Sequence, residues 1–184
     1  KLYNTVKIGD QCWMAENLNV GTMVDSLTNM TDNDTTEKYC YGNDPANCAL
    51  YGGLYQWDEA MQYVMTPGSP RQGICPAGWH IPTYAEFQML SSVVGGDGNA
   101  LKAVGQGWGG GAGTNMSEFS ALLAGGRDLG AGGFYGLGTT ASFWSSTEYD
   151  ASGVYYLYLS YDNGSIHLYH YYKYLGFSVR CLGD

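Results

Sequence analysis

The sequence is poor in charge, and above all in positive charge. Only 14% of its 184 residues are Asp, Glu, Lys or Arg, and eight basic residues face seventeen acidic ones, for a net charge of −9. A nucleic-acid partner needs a basic footprint, and none is present. Low charge combined with 45% hydrophobic and 15% aromatic residues is the reverse of a disordered composition. No apolar run approaches the roughly 20 residues of a membrane-crossing helix. The opening Lys1-Leu2-Tyr3-Asn4 does not read as a signal peptide, so a mature or trimmed start is expected.

Chemical motifs are equally scarce. There is no C-x-x-C pair, so neither a zinc ribbon nor a thioredoxin-type site has a basis. No G-x-S-x-G elbow, H-E-x-x-H, P-loop or dinucleotide fingerprint occurs. The run Gly109-Gly110-Gly111-Ala112-Gly113 contains no lysine and follows no strand–helix pattern, which argues against phosphate cradling. Among the three histidines, His80 lies in Gly78-Trp79-His80-Ile81-Pro82 beside an expected helix start and reads as a packed structural residue. His167 and His170 are three apart, which on a strand places them on opposite faces and weakens a metal clamp. Asp58 and Glu59, adjacent on a helix, diverge. Asp32-Asn33-Asp34 and Tyr161-Asp162-Asn163 offer hard oxygen ligands, but the twelve-residue EF-hand pattern is missing. Calcium stays an open option, with no other cofactor expected, and the chain reads as a non-enzyme.

Against these absences stand 28 glycines and 17 tyrosines, a composition typical of irregular, β-containing, often extracellular domains. The length suffices to bury roughly 70% of the unfolded chain's surface. One α+β domain over residues 1–184 is expected, with about two helices, small antiparallel sheets and long Gly-rich loops. The five cysteines are an odd number. Cys40 and Cys48 bracket a turn-rich loop that a disulfide would close, and Cys75 and Cys181 would tie the middle of the chain to its last strand. That is the use of cysteine expected in an exported protein, the alternative being buried thiols in a cytosolic one. Cys12 is then left unpaired and is expected to be buried.

Thr5-Val6-Lys7-Ile8, Gly9-Asp10 and Gln11-Cys12-Trp13-Met14 spell a hairpin. Residues 22–50 are polar and turn-rich, a long surface excursion. Leu54, Trp57, Ala60, Met61 and Val64 recur at helical spacing, and Pro67-Gly68-Ser69-Pro70 would end that helix. Thr83 and Glu86 form a capping box for a helix carrying Phe87, Leu90 and Val94 and stopping at Gly95-Gly96. The glycine-rich stretch 105–138 cannot be a long helix, since each glycine costs about 1 kcal/mol there; loops around one or two short strands are expected. Phe143 to Cys181 reads as strands, with Asp162-Asn163-Gly164 as a hairpin tip.

Nine of the seventeen tyrosines fall between Tyr149 and Tyr174, mixed with Ser, Asp, Gly, Asn and His. Antibody paratopes use the same vocabulary, because tyrosine supplies large amphipathic contact area at little rotamer cost. Strand preference alone accounts for Tyr155. In Tyr169-His170-Tyr171-Tyr172, however, neighbours face opposite sides, so several rings must meet solvent or a partner, and exposed aromatic patches mark binding sites.

Five phrases carry a family resemblance: Val6 to Asn19 (VKIGDQCWMAENLN), Tyr51 to Trp57 (YGGLYQW), Gly73 to Thr83 (GICPAGWHIPT), Phe143 to Glu148 (FWSSTE) and Gly176 to Cys181 (GFSVRC). In this order they resemble the Fibrobacter succinogenes major paralogous domain. The resemblance implies an exported or surface protein with a C-type-lectin-like fold, related in architecture to formylglycine-generating enzymes, whose catalytic cysteine pair has no counterpart here. Residues 144–181 further resemble the variable region of proteins diversified by retroelements. There, adenine-directed mutagenesis turns asparagine codons into Tyr, Ser, Asp, His, Gly, Leu or Phe, and never into Lys, Glu, Gln, Met or Trp. Between Tyr149 and Leu175 only Lys173 belongs to the excluded set, and the resembling templates carry a fixed lysine near that point.

This likeness implies a constant frame of Trp144-Ser145-Ser146-Thr147-Glu148, Asn163-Gly164, Lys173 and Val179-Arg180. The variable positions it implies are Tyr149, Asp150, Ser152, Gly153, Tyr156, Tyr158, Ser160, Tyr161, Ser165, His167, Tyr169, His170, Tyr171, Tyr172 and Tyr174, and all of these but Gly153 are the expected ligand-binding residues. The Glu-Pro-Asn and Gln-Pro-Asp triplets of calcium-dependent lectins are missing. The expected function is therefore non-enzymatic recognition of a macromolecule, a protein or cell-surface component, by an extracellular, cell-surface or virion-associated protein. The rivals are a carbohydrate-binding or adhesin module of a bacterial surface lipoprotein, and an enzyme of the formylglycine-generating group.

Overall fold

The structure, a computed structural model, describes residues 2–64, 71–131 and 133–184. The expected helix stop at Pro67-Gly68-Ser69-Pro70 lies outside these residues. The strands in chain order are Thr5–Ile8 (β1), Gln11–Met14 (β2), Thr22–Met23 (β3), Glu37–Lys38 (β4), Leu54–Tyr55 (β5), Trp79–His80 (β6), Ala124–Asp128 (β7), Gly133–Leu137 (β8), Thr140–Glu148 (β9), Gly153–Ser160 (β10), His167–Tyr172 (β11), Phe177–Ser178 (β12) and Leu182–Gly183 (β13). The α-helices are Pro45–Tyr51 (α1), Trp57–Ala60 (α2), Tyr84–Val93 (α3) and Gly98–Leu101 (α4). The fold is mixed α+β, with few helices and small sheets.

A four-stranded sheet runs β1-β2-β13-β6, and a larger one runs β11-β10-β9-β12-β5, with β7 joined to β9 and β8 to β7. The hairpin predicted at Gly9-Asp10 forms, with Ile8 opposite Gln11 and Gly9 at a φ of 60° that suits glycine. On β2 the alternation buries Trp13 and turns Cys12 outward. Cys12 is thus unpaired as expected but exposed, a correction that follows from the two-residue period of a strand.

Helix α3 begins with the expected capping box: Thr83 Oγ1 accepts from the Glu86 N–H (3.2 Å), and Glu86 Oε2 accepts from the Thr83 N–H (2.7 Å). The helix expected over Leu54–Val64 is largely absent. Leu54 and Tyr55 pair with Ser178 and Phe177 as a strand, only the single turn α2 is helical, and Gln62 and Tyr63 adopt φ of 55° and 54°, which stops it. Within the polar excursion, α1 was not foreseen. It has Pro45 in its first turn and Asp44 Oδ1 accepting from the Ala46 N–H (2.9 Å), a standard helix start.

Both expected disulfides are present, Cys40–Cys48 and Cys75–Cys181, spanning 8 and 106 residues of sequence. Two hydrophobic clusters flank the larger sheet. One holds Trp57, Trp144, Val154, Phe177 and Val179; the other holds Trp13, Phe87, Phe119, Phe143, Leu157 and Leu159. Trp144 anchors the first through its indole N–H, which donates to the Tyr55 carbonyl (2.7 Å), while Trp57 donates to the Ser145 carbonyl (2.8 Å).

Three buried cations fasten the long loops. Lys102 Nζ donates to the carbonyls of Gly111 (2.5 Å), Ser160 (2.6 Å) and Asn163 (2.9 Å). Arg127 donates to the carbonyls of Ser26, Thr28 and Tyr174 and stacks over Tyr39 at 4.4 Å. Arg180 donates to Asn17 Oδ1 (2.6 Å) and to the carbonyls of Met14 and Phe119, its guanidinium 4.4 Å above the Phe119 ring. Burial lowers the Arg180 pKa to about 9, against an opposing pull from Glu16, so it stays charged at neutral pH. Buried charges are tolerated where hydrogen bonds saturate them, and here backbone carbonyls do most of that.

Candidate ligand-binding surface

The tyrosine-rich segment forms the outermost hairpin of the larger sheet. Strand β10 lies between β9 and β11, while β11 is the edge. The register sets Val154, Tyr156 and Tyr158 opposite Tyr171, Tyr169 and His167, and Gly153, Tyr155 and Leu157 opposite Tyr172, His170 and Leu168. The alternation therefore deals the rings onto two faces.

On the first face, Tyr156 packs over Phe177 (5.0 Å) and edge-on to Trp144 (6.3 Å). Tyr169 lies against Tyr156 and Tyr158 (6.3 and 6.1 Å), and His167 stacks on Tyr169 at 5.0 Å, its Nδ1 3.0 Å from the tyrosine hydroxyl. Burial pushes the Tyr156 phenol up to about 12. On the second face, His170 stacks on Tyr149 at 3.6 Å, Tyr149 meets Tyr155 edge-on at 5.5 Å, and Tyr155 contacts Tyr84 of α3 at 4.2 Å. At the strand's end Tyr172 and Tyr174 stack at 5.4 Å. Aromatic pairs of this kind contribute about 0.5–1.5 kcal/mol each beyond area burial, so the rings brace one another while their outer sides stay open. Tyr149, Tyr169, Tyr171, Tyr172 and Tyr174 are 47–50% exposed.

The hairpin's two ends are fixed by polar contacts. Asp150 Oδ1 accepts from the N–H groups of Ser152 (2.8 Å) and Gly153 (2.7 Å) and from the Ser152 hydroxyl (3.0 Å); these bonds hold its carboxyl below the usual range. At the far end, residues 161–166 make the turn expected around Asp162-Asn163-Gly164. Lys102 grips it from inside, and the Gly98 N–H donates to the Gly164 carbonyl (2.7 Å). Ser160 is 8% exposed and donates to Asp162 Oδ1 (2.6 Å), so it lies beneath the surface. Ser165 is exposed at the turn, its N–H donating to Asn163 Oδ1. Tyr161 is half-buried and lies 5.9 Å from the ring of Trp108.

Lys173, expected to be constant, lies between the exposed tyrosines Tyr172 and Tyr174. Its ammonium bonds Glu148 (2.8 Å) and sits 4.6 Å from the Trp57 ring, and Arg71 reaches the same carboxylate (3.0 Å). Three aromatic residues beside the tyrosines were missed in the sequence: Tyr84, Tyr135 and Trp108. Tyr84 and Tyr135 come from α3 and β8, distant in sequence. Trp108, 67% exposed, stood in a glycine run whose lack of periodicity gave no hint of its position.

His80 is buried, as expected of a structural residue, between Asp184 (Nδ1, 2.6 Å) and Glu86 (Nε2, 3.0 Å). Burial pulls its pKa down, but hydrogen bonds to the two carboxylates outweigh that and the net shift is upward. Asp32 to Asp34 line a small polar recess with Glu59 and Tyr63, yet among the described residues no group of three His, Cys, Asp or Glu side chains is placed to hold a metal ion. Among those residues, too, no helix is long and apolar enough to cross a membrane.

Residues 6–182 match the Fibrobacter succinogenes major domain (Fib_succ_major), and the chain belongs to that family. No curated protein and no solved structure matches it.

Proposed function

We propose that this is a non-enzymatic, extracellular recognition protein. Its β10–β11 hairpin displays a tyrosine-rich surface to a protein or cell-surface ligand, on a C-type-lectin-like scaffold whose residues 144–181 are a retroelement-diversified region. The observation that carries the reading is a set of five tyrosines held 47–50% exposed, three of them (Tyr169, Tyr171 and Tyr172) on the edge strand β11 and Tyr149 and Tyr174 just beyond β9 and β11, on a frame of buried cations and indole hydrogen bonds. Rigid aromatic anchors of this kind carry most of the affinity at protein interfaces. Two disulfides in a chain with no membrane-crossing helix among its described residues fit an extracellular setting. The acidic scaffold disfavours anionic partners.

Two experiments test the reading. Tyr169, Tyr171 and Tyr172 replaced together by alanine should leave the melting transition in place and abolish capture of cell-surface proteins by the immobilised domain. Unfolding of that variant would instead put the rings in the core, and unchanged capture would move the binding site elsewhere. Sibling genes of one genome, compared with a near-identical template repeat beside a reverse transcriptase, should differ at the outward tyrosines and agree at Trp144–Glu148 and Lys173. A glycan array run with and without chelator separates out the carbohydrate reading.

A further inference from the structure

Beside the end of β11 lies a cavity of about 510 Å³ walled by Asp58, Tyr63, Ser152, Tyr172, Lys173 and Tyr174, among others. Its walls combine two features. Tyr172 and Tyr174 stack nearly parallel, at 13° and 5.4 Å, each half exposed, so ring faces carrying the negative side of the aromatic quadrupole are available. Asp58, on α2, holds a carboxylate whose Oδ1 is shielded from water and has no hydrogen-bond partner. Shielding one carboxylate oxygen without a donor is costly, and burial raises the Asp58 pKa, with Lys173 opposing and Glu148 adding to it. Lys173, whose charge acts on Asp58, is already engaged by Glu148 and the face of Trp57.

We propose that this cavity receives an arginine side chain of the macromolecular partner, its guanidinium donating to the open Oδ2 of Asp58 and stacking on an outer face of the Tyr172–Tyr174 pair. A guanidinium suits both walls at once: it is planar, always charged, carries donors for a carboxylate oxygen and packs on aromatic rings. The net charge of −9 favours a basic partner, and a neutral sugar would bring the Asp58 carboxylate no charge beyond that of Lys173, which Glu148 shares. The site rests on the recognition reading above and gives it a chemistry: a basic anchor docked beside the variable rings.

The test needs no natural ligand. The probes are the capped peptide acetyl-Gly-Arg-Gly-amide and its citrulline counterpart, which keeps the shape and loses the charge. Titrated into isotope-labelled protein and followed by NMR, the arginine peptide should shift the amides of residues 58, 63 and 172–174 saturably, and the citrulline peptide should bind about tenfold more weakly. Asp58→Asn should weaken arginine binding by a similar factor at an unchanged melting temperature. If that variant fails to fold, Tyr174→Leu, at a half-exposed position, should lower affinity for arginine while leaving the fold intact. Equal affinity for both peptides, unaltered binding in either folded variant, or no shifts at the cavity would overturn the proposal, and tighter binding of a methyl glycoside would reassign it to sugar. Loss of arginine binding alone leaves the tyrosine surface standing, because Tyr169 and Tyr171, which do not line the cavity, replaced together by alanine read that surface independently of this site.

Discussion

Strands β10 and β11 share a tyrosine-rich composition and meet opposite fates. In β10 (Gly153–Ser160) every residue is buried or half-buried; in β11 (His167–Tyr172) the last four are exposed. The cause is position in the sheet. β10 has a neighbour on each side and carries Val154 into one hydrophobic cluster and Leu157 and Leu159 into the other. β11 has one neighbour, and of its residues only Leu168 packs against either of these two clusters. Composition identifies a segment that uses tyrosine, and strand order decides which tyrosines are structural and which are free to recognise. An edge strand rich in exposed aromatics is a hazard for association, and the proposed recognition role would give a reason for keeping one.

That contrast is best attacked first at the inner strand. Leu157→Ala should cost about 2–5 kcal/mol in chemical denaturation, whereas Tyr169→Ala on the strand opposite should change stability by about 1 kcal/mol or less. Similar losses at both would erase the distinction. Next comes the clamp that joins the two strands. Lys102→Met leaves the carbonyls of Gly111, Ser160 and Asn163 without their shared donor, for an expected cost of about 1–3 kcal/mol and faster amide exchange across residues 161–166.

The smallest effect should come from the His80 latch, remote from the hairpin. With its folded pKa raised above 6.5, its stabilisation is complete below that pH and fades as pH rises through the folded value. Hydrogen bonds from His80 and Thr83 outweigh burial and depress the Glu86 pKa below 4.5, so that contribution fades instead as pH falls through its folded value. Thermal melts should therefore show a broad maximum between those limits, lost in His80→Phe, with ligand capture unaltered.

Much of the frame was legible in the chain. The Thr83–Glu86 box, the Gly9-Asp10 turn and the Cys40–Cys48 loop are local signals, and each was read correctly. The Leu54–Val64 helix failed because its apolar spacing also serves a strand: Leu54 and Tyr55 are claimed by β12, more than a hundred residues later, a pairing no window of sequence contains. Cys12 was misplaced because its burial was inferred from residue type where the strand's alternation should have decided it. Lys102, Arg127 and Arg180 were invisible as core residues, since a charge can go inside only where distant backbone carbonyls converge; Arg127 reaches Ser26 across 101 positions. Of the surface, the tyrosine cluster could be seen and its two faces could not, because a register is a property of two strands. The neighbours Trp108, Tyr84 and Tyr135 and the Asp58 cavity are tertiary products entirely.

The central claim, a fixed frame carrying a replaceable surface, is tested most directly by two displayed libraries scored for protease resistance. One randomises Tyr149, Tyr169, Tyr171, Tyr172 and Tyr174; the other randomises Val154, Leu157 and Leu159, all three fully buried. The first library should retain folded clones at nearly the parental frequency, and the second should lose almost all of them. Equal collapse of both would show that the outward rings are part of the core, and the account would fail.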